Sequence, residues 1–147
     1  MGTARRTWRM AVALGRVFLA LIFVVSALNK LMNWEQPAAA IADTGLTPAS
    51  LFLAAAIALE LVGGILLLTG LYTRIGVLLL MAFLIPTTLI MHDFWTLEGA
   101  ERQLQAAQFL ENVSILGGLL VVLGVGAGGL SVDSKLARDR TRSAPDR

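Results

Sequence analysis

The chain has no cysteine, one histidine, one tyrosine and little charge. Without cysteine, its own side chains form no disulfide, no iron–sulfur cluster and no thiolate metal site, and do no thiol chemistry. The lone histidine, His92, excludes bis-histidine haem ligation from one chain. Charged residues make up 15% of the 147 positions, against about 25% in an average soluble domain. A water-soluble surface needs more charge than that.

What the chain has instead is apolar length. Hydrophobic residues reach 56%, and they gather in four stretches, 10–28, 49–71, 75–91 and 109–128. At ~1.5 Å per residue, about 20 residues cross the ~30 Å hydrocarbon layer. These spans and their short connections occupy nearly everything up to residue 133, leaving no room for a soluble catalytic domain. The expectation is an all-α integral membrane four-helix bundle over 1–133, followed by a basic tail over 134–147. The tail should be disordered from Asp139 onward.

Placement of charge sets the orientation. Arg5, Arg6 and Arg9 precede the first span, Arg74 lies between spans two and three, and Lys135, Arg138, Arg140, Arg142 and Arg147 follow the fourth. The two longer connections offer only Lys30 and Arg102. Positive residues favour the cytoplasm, so both termini are expected inside the cell, with Trp8 and Tyr72 at the inner boundary and Trp34 and Trp95 at the outer one. The protein should sit in a bacterial inner membrane as a multi-pass protein. A cleavable signal is the rival reading of the first span, because Val25-Ser26-Ala27 imitates a cleavage site. Arg16 inside the apolar run argues for a retained span, and twin-arginine export through Arg5-Arg6 is the less common use of basic flanks.

Between spans one and two, Pro37 and Gly45 read as the first turn and C-terminal cap of a short helix. Thr47-Pro48 reads as N-cap and first position of span two. Leu71–Arg74 permits only a tight hairpin. Pro86 should kink span three and free the carbonyl near Ala82. Residues 92–108 look helical enough to extend span four outward. An internal echo links 63–70 with 117–124. Its paired glycines Gly63, Gly64, Gly117 and Gly118, and the GxxxG spacing of Gly124 and Gly128, are read as helix-packing positions inside the bundle, with a homo-oligomer as the other use. Composition alone also produces such echoes.

Polar residues at membrane depth are few. A charge at the bilayer centre costs ~2.5–3.5 kcal/mol on insertion scales, so Arg16 and Glu60 are expected to pair across spans one and two. That pair either specifies packing or handles protons or solute. Lys30, His92, Glu111 and Asn112 lie near the outer helix ends at similar estimated depth. They form a candidate outward pocket for an anion or a quinone carbonyl, or else ordinary interfacial residues, with Lys30 snorkelling and Glu111 at a helix N-terminus. One histidine with scattered carboxylates makes a poor metal site, and none is expected.

The ordered set Gly15-Arg16, residues 26–30, Glu60-Leu61-Val62-Gly63-Gly64, Gly70-Leu71-Tyr72-Thr73-Arg74, His92-Asp93-Phe94-Trp95, Asn112, Gly117-Gly118 and 128–133 resembles the DoxX family of small bacterial membrane proteins. The likeness covers about 14–133, with Val132 where the family often has leucine. It implies a four-helix inner-membrane protein related to a subunit of a thiosulfate–quinone oxidoreductase, and to complexes handling oxidative and thiol stress. The expected role is a membrane subunit or anchor of such a complex. The alternatives are a quinone-dependent oxidoreductase subunit using the outer pocket, and a proton or solute transporter using Glu60 and Arg16. The expected partners are the lipid bilayer and a soluble or membrane redox protein, with no nucleic acid; the basic tail, Lys135 to Arg147, would recruit a soluble partner or contact anionic lipid. No cofactor motif is visible; a bound quinone is the one cofactor the lineage suggests.

Overall fold

A computed structural model describes residues 2–142 of the chain. Its first helix, α1 (Gly2–Met32), is longer than the apolar run that nucleates it. Its 31 residues extend to about 46 Å, beyond the hydrocarbon thickness. The first turns, with Arg5, Arg6 and Arg9, therefore project as an exposed polar extension. Ala20, Phe23 and Ala27 of the same helix are buried in the bundle, so the Val25-Ser26-Ala27 tripeptide lies in the packed part of a continuous helix.

A short helix, α2 (Glu35–Asp43), follows, with Pro37 in its first turn and Gly45 just beyond its end at φ +84°. The second span, α3 (Ala49–Thr69), begins after Pro48 without a side-chain cap, so Thr47 does not act as the N-cap the sequence suggested. Gly70 ends α3 in the left-handed conformation, and α4 (Thr73–Met91) starts three residues later. Pro86 lies within α4, which runs on to Met91. Pro86 has no N–H to offer, and Ala82, one turn back, lines an apolar cavity beside it.

A 3-10 turn over Phe94–Thr96 separates α4 from α5 (Gly99–Val125). Phe94 packs edge-on against Trp95 and Phe109, at centroid distances of 5.3 and 5.4 Å. This aromatic cluster ties the turn to α5. The last helix, α6 (Val132–Arg142), carries the basic residues of the tail. Helix thus continues through Asp139, where the sequence suggested disorder, because Ser131 and Ser134 close its first turn. The remainder of that expectation, 143–147, lies outside the described residues.

Among the described residues, four helices, α1, α3, α4 and α5, are long and apolar enough to cross a membrane. One core cluster joins Ala20 and Phe23 to Leu67, Leu80, Phe83 and Leu119. A smaller one, at the loop end, seats α2 through Ala38 and Ile41 on Ala27, Leu53 and Ile57. Glycine governs the closest approaches. A methyl group on Gly63 would lie 2.8 Å from Leu80 Cγ, and one on Gly64 2.8 Å from Val24 Cγ2. Gly118 and Gly128 likewise face Leu19 and Val12. Gly117 and Gly124 meet nothing within 4 Å, so the expectation that they pack inside the bundle is corrected. The echo between 63–70 and 117–124 is not a geometric repeat, since Gly70 ends a helix while Gly124 lies inside one.

Candidate functional site

The ion pair expected between Arg16 and Glu60 does not form. Arg16 instead donates from Nη1 to the Leu67 carbonyl (3.1 Å) and from Nη2 to the Leu130 carbonyl (3.0 Å). The reason is distance along α3. Leu67 lies seven residues beyond Glu60, or about 10 Å along the axis, and α1 runs antiparallel to α3. Arg16 is therefore level with the last turn of α3, whose carbonyls carry the negative end of the helix dipole. Gly70 leaves space there that any side chain would take from the guanidinium.

This end of the bundle is fastened by Asp133. Its carboxylate accepts from the backbone N–H groups of Tyr72 (2.8 Å) and Thr73 (3.1 Å) and from the Thr73 hydroxyl (3.2 Å). Tyr72 adopts the left-handed conformation, φ 46°, which a non-glycine residue holds only with support. Asp133 thus caps α4 from a distant part of the chain, and its own N–H donates to Gly70 O (2.9 Å). The motif residues 70–74 and 128–133, far apart in sequence, form one clasp with Arg16.

Lys30 is the true partner of Glu60. Its ammonium donates to Glu60 Oε1 and Oε2 at 2.9 and 2.8 Å, and to the Ser26 hydroxyl one helical turn back. Ser26 and Lys30, at i and i+4, share a face of α1. The Glu60 side chain is only 2% exposed, that of Lys30 23%. The Phe83 ring lies 5.3 Å below the ammonium and adds a cation–π contact.

A cavity of about 190 Å³ opens on this pair. Ser26 and Lys30 of α1, Glu60 of α3, Thr87 of α4, His92, and Asn112 of α5 supply its polar lining, and Ile22, Phe23, Phe83, Leu84 and Ile115 its apolar part. Lys30, His92 and Asn112 therefore meet around one space, and Glu60 joins them. Glu111 does not; it is exposed on the surface of α5. His92 Nδ1 is 2.8 Å from Gln105 Oε1, so Nδ1–H donates to that amide oxygen and Nε2 has no side-chain partner. A second, apolar cavity of about 280 Å³ adjoins the first at Lys30, Phe83 and Thr87. Between α2, α3 and α4, it is lined by Ile41, Phe52, Ala56, Leu59 and Pro86 among others. On the opposite side of Lys30, Asn29, Asn33 and Gln36 line a polar recess.

Toward the terminal end the interior closes. Ala20, Leu80 and Leu119, each fully buried, fill the layer between the Glu60 pair and Arg16. Sequence reasoning missed Thr87, Gln105 and the Lys30–Glu60 partnership. The i, i+4 spacing of Ser26 and Lys30, set against an antiparallel α3, was the signal available for the last of these.

Comparison with known proteins points one way. A sequence profile of the DoxX family matches residues 11–93. Inner membrane protein YphA of Escherichia coli K12 is 27% identical over 122 residues, spanning 83% of this chain and 87% of that protein. ER-derived vesicles protein ERV29 of Saccharomyces cerevisiae is 33% identical over 79 residues, 54% of this chain. Surfeit locus protein 4 homolog of Drosophila melanogaster is 25% identical over 124 residues, 81% of this chain. The chain spans only 26% and 38% of the lengths of these two eukaryotic relatives. No solved structure gives a significant match.

Proposed function

The chain belongs to the DoxX family, and on that premise we propose that it is the membrane subunit of a redox-related complex, holding a lipophilic carrier of the quinone class. It is a multi-pass inner-membrane protein. The observation that carries the proposal is the polar cavity around Lys30, Glu60, His92 and Asn112, set at membrane depth beside an apolar cavity. A molecule with a polar ring and a hydrocarbon tail matches that pairing of surfaces.

The quinone, when bound, supplies the electron chemistry, which the side chains of this chain do not. The residues bind and orient. The apolar cavity takes hydrocarbon, the polar cavity takes the ring, and the layer of Ala20, Leu80 and Leu119 closes the site from the terminal end. That layer also weighs against the transport reading, which coupled Glu60 to Arg16. In this reading both termini face the cytoplasm, the side that the basic residues of α1 and α6 favour, and Lys135, Arg138 and Arg140 are available there to a soluble partner or to anionic lipid.

Purification in gentle detergent, with mass spectrometry of copurifying lipids, quinones and proteins, tests the reading. A quinone at near-stoichiometric amount, with a redox protein partner, is the expected result. Preparations that hold neither, and that fail to bind added decyl-ubiquinone, would defeat it. A reporter after Asp133 should read cytoplasmic, and tags near Ala40 and Gly99 should be accessible from outside.

A further inference from the structure

The charged residues of the cavity are not its free hydrogen-bonding groups. An ammonium has three donors, and those of Lys30 are directed at Ser26 Oγ, Glu60 Oε1 and Glu60 Oε2. The pair is neutral as a unit, so it offers an entering anion no net charge. To receive an anion, Lys30 would have to leave Glu60 as an uncompensated carboxylate at membrane depth. Across the cavity the situation is reversed. Among the described residues, the Thr87 hydroxyl and the Asn112 amide line the space yet make no side-chain hydrogen bond. His92 uses Nδ1 on Gln105 and keeps Nε2. In a hydrocarbon setting, unsatisfied polar groups are costly, and a site that leaves several together is shaped for a polar guest.

We infer that Asn112, Thr87 and His92 Nε2 recognise the ligand, and that this ligand is an uncharged lipophile bearing carbonyl or hydroxyl oxygens. The Asn112 Nδ2–H₂ donates to a carbonyl oxygen, and Asn112 Oδ1 and His92 Nε2 accept from a hydroxyl. Thr87 does either, at the junction where the polar cavity meets the apolar one. The Lys30–Glu60 pair fixes the wall and sets its neutrality. This inference rests on the proposed quinone reading and specifies both the ligand class and the recognising atoms.

The test is equilibrium binding of decyl-ubiquinone, its quinol and decanoate to the purified full chain, compared with Asn112→Leu and Thr87→Val. Loss of one good hydrogen bond to a neutral group is worth about tenfold in affinity. Asn112→Leu should weaken quinone and quinol binding about tenfold and Thr87→Val about threefold, with thermal unfolding unchanged because neither side chain bonds within the bundle. Decanoate should bind at least tenfold more weakly than the quinone. Binding of the quinone unchanged in both variants overturns the inference while leaving the quinone reading intact. Tight decanoate binding also overturns it, whereas no quinone binding by the unsubstituted chain defeats the functional reading itself. If Asn112→Leu fails to fold, the isosteric Thr87→Val decides.

Discussion

Helix α1 brings two cations into the bundle, Arg16 buried and Lys30 partly so, and the bundle treats them differently. Arg16, 3% exposed, is held by the carbonyls of Leu67 and Leu130, with the Asp133 cap beside it. The guanidinium fills the space that Gly70 leaves open, and Arg16 Nε is buried there without a hydrogen-bond partner. Lys30 is held by a carboxylate and a hydroxyl, and beside it lie cavities with unused polar groups. The comparison teaches that an intramembrane charge is not by itself a functional site. Where a charge closes a clasp between distant segments, it stabilises the fold; where its own compensation leaves adjoining space and free hydrogen-bonding atoms, a ligand has somewhere to bind.

The sharpest way to break this comparison is to unpair Glu60. Lys30→Met leaves a carboxylate without its cation and should destabilise the bundle by about 3–5 kcal/mol. The double variant Lys30→Met with Glu60→Leu should recover most of that loss, measured by unfolding in detergent. Equal damage in single and double variants would remove the ion pair from the account.

Comparable in size is the clasp. Arg16→Met forfeits two charge-assisted bonds to carbonyls, each worth about 1.5–3 kcal/mol. Gly70→Ala should reproduce part of the effect by displacing the guanidinium. Combined with Glu60→Gln, Arg16→Met should be additive within about 0.5 kcal/mol, since the sites share no partner. Strong coupling between them would restore the ion pair that the structure replaces.

Asp133→Ala removes the cap of α4 and should cost about 1 kcal/mol, while leaving quinone binding unaltered. A binding loss of the same size as in Asn112→Leu would mean that the two ends are not independent. The smallest effect is expected on α5. Gly117→Ala and Gly124→Ala should leave stability within about 0.5 kcal/mol, because nothing lies within 4 Å of either. Gly63→Ala, by contrast, meets Leu80 at 2.8 Å and should be clearly destabilising.

The sequence by itself determined that the chain crosses the membrane four times, because apolar length and sparse charge admit no other solvent. It also singled out the polar residues at membrane depth, since ionisable groups are rare where water is absent. Pairing was decided only by the tertiary structure. Arg16, Lys30 and Glu60 are each visible as intramembrane charges, but which meets which depends on the axial register of antiparallel helices. The close approach of α3 and α4 at Gly63, and the Asp133 clasp that joins residues sixty positions apart, are part of that register. A shift of two turns moves a partner by about 10 Å. Face orientation belonged to the structure for the same reason. Apolar residues around Asn112 (Phe109, Leu110, Val113, Ile115, Leu116) fall on more than one face of α5, so periodicity could not turn Asn112 inward and Glu111 outward; the packing of α5 against its neighbours did.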